Sequence, residues 1–164
     1  MDIPGHELTI REFLPGDEHD FRRLNQEWIA RYFAMEPKDE ATLADPRQYI
    51  LEPGGRIFLA ILEGRTVGCC ALLRTDPGEY EVGKMAVSES FQKAGIGRRL
   101  LEMAIAEARL SGATRLYLET SHRLEAAVRL YESLGFRHLA QAPSAAPGYQ
   151  RTDVFMEMRL ASPV

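Results

Sequence analysis

The stretch Glu79-Tyr80-Glu81-Val82-Gly83-Lys84-Met85-Ala86-Val87-Ser88-Glu89-Ser90-Phe91-Gln92-Lys93-Ala94-Gly95-Ile96-Gly97-Arg98-Arg99-Leu100-Leu101 changes its period part-way along. Up to Val87 it alternates as a strand does. Beyond the glycines, Leu100, Leu101, Ala104, Ile105 and Ala108 recur at helical spacing until Gly112, and Arg115–Thr120 is a strand again. A strand, a crossover helix and a second strand place the two strands parallel in one sheet.

Upstream the pattern is different. Arg56–Glu63 alternates through Ile57, Leu59 and Ile61, and Glu63-Gly64-Arg65 makes a tight turn into Thr66–Arg74. Thr75-Asp76-Pro77-Gly78 is a second turn, leading into the strand at 79–87, so these three strands form an antiparallel meander. Earlier still, Glu7–Phe13 reads as a strand, broken by Pro15-Gly16-Asp17. Asp17 is positioned to cap a helix carrying Phe21, Leu24, Trp28 and Tyr32 through Phe33. Asp45-Pro46 opens a short second helix to about Leu51.

Downstream of the crossover, a helix carries Leu124, Ala127, Val128, Tyr131 and Leu134, with Gly135 at its C-terminal turn. Residues 136–140 read as a short strand, 141–149 as a Pro/Ala/Ser-rich loop, and 152–160 as a last strand with Val154, Met156, Met158 and Leu160 inward. The order β-α-α-β-β-β-α-β-α-β-β implies an α/β (α+β) fold, with a mixed, mostly antiparallel central sheet and helices on both faces. No repeat or linker divides residues 1–164, so one domain is expected.

The totals exclude several classes. A chain of 164 residues with 45% hydrophobic content fills one core and is not disordered. Its net charge is −4, which disfavours general nucleic-acid binding by phosphate neutralisation. Residues 1–52 carry most of the acidic excess, with 12 acidic against 6 basic residues. Cys69 and Cys70 are adjacent in a strand, so they point to opposite faces and suit neither a disulfide framework nor a shared metal. His6, His19, His122 and His138 show no paired ligand spacing, so no metal is expected. There is no signal-peptide pattern and no apolar run of membrane length, so a cytoplasmic protein without membrane contact is expected.

The loop at 88–97 carries the first functional hint. Gly95 and Gly97, lying between a strand and a helix, let backbone N–H groups converge on an anion above the helix N-terminus. Lys93, Arg98 and Arg99 add positive charge at the rim. A P-loop needs Gly-Lys-Ser/Thr where this chain has Gly97-Arg98-Arg99, and a dinucleotide fingerprint needs a third glycine where Leu100 stands. Neither fits.

Gln92-Lys93-Ala94-Gly95-Ile96-Gly97 resembles the Gln/Arg-x-x-Gly-x-Gly/Ala acyl-CoA motif of the GNAT N-acetyltransferase superfamily. Leu130-Tyr131-Glu132-Ser133-Leu134-Gly135-Phe136 resembles that superfamily's Leu-Tyr-x-x-x-Gly-Phe helix end, and Tyr80–Val87 resembles its strand before the loop. The resemblance covers about residues 56–160. It implies acetyl-CoA as co-substrate, an amine of a small molecule or peptide as acceptor, and direct transfer. A homodimer is compatible with it, since many members pair. It assigns the pantetheine arm to the backbone of Met85, Ala86 and Val87, and the pyrophosphate to main-chain N–H groups of Gln92, Lys93, Ala94, Gly95, Ile96, Gly97 and Arg98. A splay between the 79–87 and 115–120 strands would admit the cofactor. A non-catalytic acyl-CoA-binding module is the alternative function.

An alkyl ammonium of pKa about 10 must lose its proton before it can attack, so a base within reach helps. Glu81 is the candidate: in alternating register it shares a face with Met85 and Val87, and a carboxylate there is either used or paired with a nearby arginine. Glu79 is a weaker alternate. The resemblance gives Tyr131 the role of general acid for the departing thiolate, while periodicity alone makes it an amphipathic member of its helix stripe. Gly83 fits either a bulge or close packing. One departure is plain: many members carry Asn where this chain has Leu124, leaving His122 or Arg123 to replace that contact. The resemblance further implies that the first helices and the 141–151 loop frame the acceptor. Tyr32, Tyr149 and Arg151 are therefore its candidate lining residues, with Arg151 suited to a carboxylate.

Overall fold

A computed structural model describes residues 7–92, 94–142 and 148–160. Strand β1 (Leu8–Glu12) precedes helices α1 (Glu18–Tyr32) and α2 (Pro37–Ala44) and a π-type turn over Arg47–Leu51. The meander β2 (Arg56–Leu62), β3 (Arg65–Asp76) and β4 (Glu79–Val87) follows. Then come α3 (Ile96–Leu110), β5 (Arg115–Thr120), α4 (Glu125–Ser133), β6 (Arg137–Leu139) and β7 (Val154–Arg159). The strands lie in the order β1-β2-β3-β4-β5-β7-β6, and the β4–β5 pair alone is parallel. The mixed, mostly antiparallel sheet expected from the sequence is the one present.

Two details of the N-terminal third differ from the reading above. Asp17 does precede α1, but its carboxylate turns back to accept the Leu14 N–H at 2.7 Å and to pair with Arg11 at 2.7 Å, so it caps no helical N–H. The second helix is Pro37–Ala44, opened by a Glu36/Asp39 capping box with Pro37 in the first turn. The segment after Asp45-Pro46 forms the π-type turn.

Helices cover both faces. On one face α3 packs Leu100, Leu101 and Ala104 against Phe58, Cys70, Leu72, Val82, Leu116 and Met156. On the other, α1, α2 and the turn supply Phe21, Leu24, Leu43 and Ile50 against Ile57, Leu59, Cys69, Ala71 and Ala86. Each completely buried leucine contributes on the order of 2 kcal/mol. Cys69 and Cys70 fall on opposite faces as free thiols, and burial pushes the Cys69 thiol up to about 12. No helix among the described residues is long and apolar enough to cross a membrane.

Two irregularities of β4 shape everything that follows. First, β4 and β5 are paired only at Glu79–Arg115, Tyr80–Leu116 and Glu81–Tyr117. Beyond Glu81 the strands part, so that edge of β4 has no strand partner among the described residues. Second, the register with β3 runs Ala71–Gly83 and then Cys69–Ala86, which sets one β3 residue against Lys84 and Met85. That is a β-bulge, and Lys84 takes the left-handed conformation at φ 51°.

The bulge corrects one expectation. Without it, Glu81, Met85 and Val87 share a face. With one residue inserted, Glu81 lies opposite Leu73 on the α1/α2 face, whereas Met85 and Val87 pack on the α3 face. Gly83 adjoins the bulge rather than forming it, and a Cβ there would sit 3.2 Å from Leu73 Cδ1, so it also packs tightly.

Candidate active site

The gap between β4 and β5 opens into a cleft of about 710 Å³, walled by α1 on one side and by α4 and the β5–α4 loop on the other. The cleft is lined by Glu81, Met85, Ala86, Val87, Gln92, Gly95, Ile96, Gly97, Arg98 and Tyr131, and also by Tyr32, Tyr149 and Arg151. Residues scattered over the sequence therefore meet in one place. Ala94 packs against the α3-face core and Arg99 directs its guanidinium at the Leu8 carbonyl (3.4 Å), so neither lines the cleft. Lys93 lies outside the described residues.

The loop end turns sharply into a helix start. Gly95 takes φ 79°, a left-handed conformation that glycine adopts without penalty, and so turns the chain into α3. The first intrahelical bond runs from Arg99 N–H to Gly95 O at 3.1 Å, which leaves the N–H groups of Ile96, Gly97 and Arg98 without helical acceptors. The Gln92 amide donates to Val87 O at 3.3 Å and ties the loop to the end of β4. At Gly97 neither packing nor φ demands glycine: an added Cβ would meet Leu130, Met85 and Val87 only at 3.8–4.0 Å. Glycine at 97 therefore serves no packing need. N–H groups without helical acceptors at a helix start, beside an unpaired strand edge, fit a pyrophosphate joined to an amide-bearing arm. Arg98, paired with Glu102 at 2.9 Å, stands at the rim.

Glu81 sits where the strands begin to part. Burial raises its carboxyl pKa, an effect that Glu119 reinforces and that Lys38, Tyr117 and Lys84 oppose. No arginine pairs with it among the described residues; Arg115 is engaged by Glu79 and Glu157. Tyr131 reaches the cleft from α4 with 8% of its surface exposed, edge-on to Phe136 at 5.9 Å. Burial raises its phenol pKa, so it stays protonated at neutral pH. A carboxyl group and a protonated phenol thus line the same cleft.

At the end of the cleft beside α2 the sequence reading missed the residue that organises the others. Asp39, fully buried on α2, accepts Lys84 Nζ at 2.6 Å and a two-pronged Arg151 guanidinium at 2.6 and 2.8 Å. These cations hold its carboxyl down at about 2 although burial alone would raise it. Arg151 also meets Glu36 at 3.2 Å, and Lys84 Nζ lies 2.9 Å from the Tyr149 hydroxyl. Arg151 is therefore fully engaged by protein carboxylates. Arg123 is not: it lines the cleft with its guanidinium 5.2 Å from the Phe33 ring centre and has no acidic partner among the described residues. His122 pairs instead with Asp153 and does not line the cleft. Leu124 does line it, at the N-cap of α4, and offers no side-chain polar atom.

The only sequence signal for Asp39 was Glu36-Pro37-x-Asp39, a helix-start pattern, and nothing in it announces a contact with residues 84 and 151. Among the described residues no cluster of side chains could hold a metal ion.

Residues 21–136 match the acetyltransferase (GNAT) family. An N-acetylaspartate synthetase from Danio rerio is 34% identical over 113 residues, covering 67% of this chain and 40% of the relative. The chain thus spans less than half the length of that relative. An IAA acetyltransferase from Azospirillum brasilense is 34% identical over 136 residues, covering 82% of this chain and 87% of the relative. Among solved structures, a protein from Salmonella typhimurium that contains its cofactor acetyl-CoA superposes with a TM-score of 0.73 at 25% identity, over 96% of each chain. In sequence, over most of its length, and in the sheet that parts beside a helix N-terminus, the chain belongs to the acetyltransferase (GNAT) family.

Proposed function

We propose that the chain transfers the acetyl group of acetyl-CoA directly to the amine of a small molecule or peptide. The reading rests above all on Glu81, a partly buried carboxylate that no arginine pairs with among the described residues, at the point where β4 and β5 separate. The cofactor supplies an acyl carbon already activated as a thioester. The N–H groups at the start of α3 hold its pyrophosphate, and the open edge of β4 at Met85–Val87 takes its amide-bearing arm and offers an N–H to the carbonyl oxygen. Glu81 takes the proton from the incoming ammonium, directly or through one water, so that nitrogen attacks as the neutral amine. As the new C–N bond forms and the C–S bond breaks, Tyr131 gives its phenolic proton to the departing sulfur, and the proton that the acylated nitrogen sheds restores the phenol.

On the acceptor side, Glu81 and Glu119 attract an ammonium, while Arg123 is a cation with no acid of its own among the described residues. That pairing of charges favours an amine that also carries a carboxylate, and the name of the Danio rerio relative contains such an amino acid. A screen of amino acids, polyamines, aminoglycosides and peptide N-termini, read by thiol release from acetyl-CoA, tests the reading. Turnover with at least one amine, sharply reduced in Glu81→Gln, is expected. Tight acetyl-CoA binding without turnover on any amine would instead support a non-catalytic acyl-CoA-binding module.

A further inference from the structure

Lys84 is a charged, non-glycine residue held at φ 51° with only 4% of its side chain exposed. A left-handed lysine in a strand persists only where its surroundings over-determine it. The surroundings here converge on one carboxylate. Asp39 Oδ1 takes Lys84 Nζ at 2.6 Å; its two oxygens take the Arg151 guanidinium at 2.6 and 2.8 Å; its Oδ2 also accepts the Glu36 N–H at 2.9 Å. Three segments distant in sequence therefore meet on one side chain: the first turn of α2, the bulge of β4, and the 148–152 segment. Lys84, Tyr149 and Arg151 line the cleft, whereas Asp39 stands behind its wall with no exposed surface.

We propose that Asp39 is a positioning residue that acts through Lys84: it clamps the β4 bulge, and the bulge in turn sets Glu81 and the cofactor-facing edge of β4 on opposite faces of one strand. This rests on the acetyltransfer reading for its kinetic consequence but not for its structural one. The bulge inserts one residue between Glu81 and Met85, so removing it would rotate every side chain on one side of Lys84 to the other face. Glu81 would then leave the face of α1 and α2. The clamp fixes the base relative to the acyl carbon without touching either substrate.

The charged and titratable groups facing Glu81 are Lys38 from α2, Lys84 on β4, Tyr117 and Glu119 on β5, and Tyr149 from the 148–152 segment. Lys84 favours the ionised form of Glu81. Releasing Lys84 from Asp39 therefore alters both the geometry of the base and the charge next to it.

The experiment compares wild type, Asp39→Asn, Lys84→Gly and the double variant in the full chain. Glycine adopts φ 51° freely and needs no clamp. In Asp39→Asn, kcat is expected to fall at least tenfold, with the acetyl-CoA dissociation constant, measured by calorimetry, within about twofold of wild type. Amide hydrogen exchange at Lys84–Ala86 should quicken. Adding Lys84→Gly to Asp39→Asn should restore at least part of kcat, and slow that exchange again, without restoring the melting temperature. In Lys84→Gly the acid limb of the rate profile should move to higher pH, because a cation beside Glu81 is gone. Unchanged kcat in Asp39→Asn overturns the clamp, as does a double variant no better than Asp39→Asn in both rate and exchange. If wild type acetylates no amine, the acetyltransfer reading falls alone, since the exchange comparison still decides whether Asp39 holds the bulge.

Discussion

Substituting Gly97 by alanine separates what the protein needs from what its ligand needs. The added Cβ would lie 3.8 Å from Leu130 Cδ2 and 4.0 Å from Met85 Cε and Val87 Cγ2, all ordinary van der Waals contacts. Gly97 is the second residue of α3, and its φ lies outside the left-handed region. Alanine restricts the unfolded chain and favours the helix, so the free protein should gain about 0.5–1 kcal/mol. For a chain of this size that corresponds to a rise in Tm of about 1–4 °C. Ligand binding should move the opposite way. A methyl group placed where a phosphate approaches the α3 amides displaces one or two charge-assisted hydrogen bonds, each about 1.5–3 kcal/mol, which weakens acetyl-CoA binding at least about tenfold. Scanning calorimetry with and without CoA, together with titration calorimetry, measures both effects on one sample. A Gly97→Ala protein that is more stable yet binds CoA as tightly as wild type would refute the cradle. One destabilised without ligand would refute the geometric reasoning about Gly97.

Glu81→Gln should cut kcat by about 10²–10⁴, the usual range for loss of a general base. In wild type, kcat should rise with pH through a carboxyl pKa lifted above the ordinary glutamate value, because burial favours the protonated form and only the ionised form accepts a proton. A rate that is flat with pH across the acid range would count against Glu81. Tyr131→Phe should lower kcat while acetyl-CoA still binds, as calorimetry would show. Arg123→Gln should raise KM for amino-acid acceptors by about 10- to 150-fold, one charge-assisted bond, and leave KM for the decarboxylated amines nearly unchanged; equal effects on both would remove Arg123 from the acceptor site. Asp39→Asn leaves the buried Lys84 without a carboxylate and Arg151 with Glu36 alone, and should cost about 3–5 kcal/mol near neutral pH. Because the folded Asp39 carboxyl is held at about 2 against a usual 3.8, about 2 kcal/mol of that stability is present above pH 4 and disappears as pH falls through 2. The gap in stability between wild type and Asp39→Asn should therefore narrow on acidification, measured by urea denaturation at a series of pH values.

The parts of the fold legible in the sequence are those governed by local rules. Period-2 and period-3.6 patterns marked the meander, α3 and β5, and adjacency alone put Cys69 and Cys70 on opposite faces. The turn into α3 could be read because Gly95 takes φ 79°, a left-handed conformation that leaves its trace in residue type. Helix α2 left a weaker trace: eight residues with Leu43 as their one large buried side chain give little periodicity. Arg151 does line the cleft, but its structural role was illegible, because its neutralising partner lies on α2, more than a hundred positions earlier. Contacts of that kind are chosen by tertiary geometry, and residue type does not encode them.

The bulge shows why the assignment of faces could not be read from β4 alone. Alternation along Glu81–Val87 has two registers that differ by one residue, and each satisfies a hydrophobic pattern in which nearly every position is partly buried. A strand with one solvent face would betray the insertion, since a polar residue would fall inward. In β4 both faces are covered, by α3 on one side and by α1 and α2 on the other, so the hydrophobic pattern tolerates either parity. The polar residues Glu81 and Lys84 carry the missing information. On the strictly alternating register, Lys84 would turn with Val82 and Ala86 toward a single face, away from Glu81. In the bulged register, Lys84 meets Asp39 and Glu81 reaches the cleft. The departure from alternation falls at Lys84, whose buried ammonium is paired with Asp39 on a distant helix, so the partner that goes with the inserted residue lies outside β4 altogether.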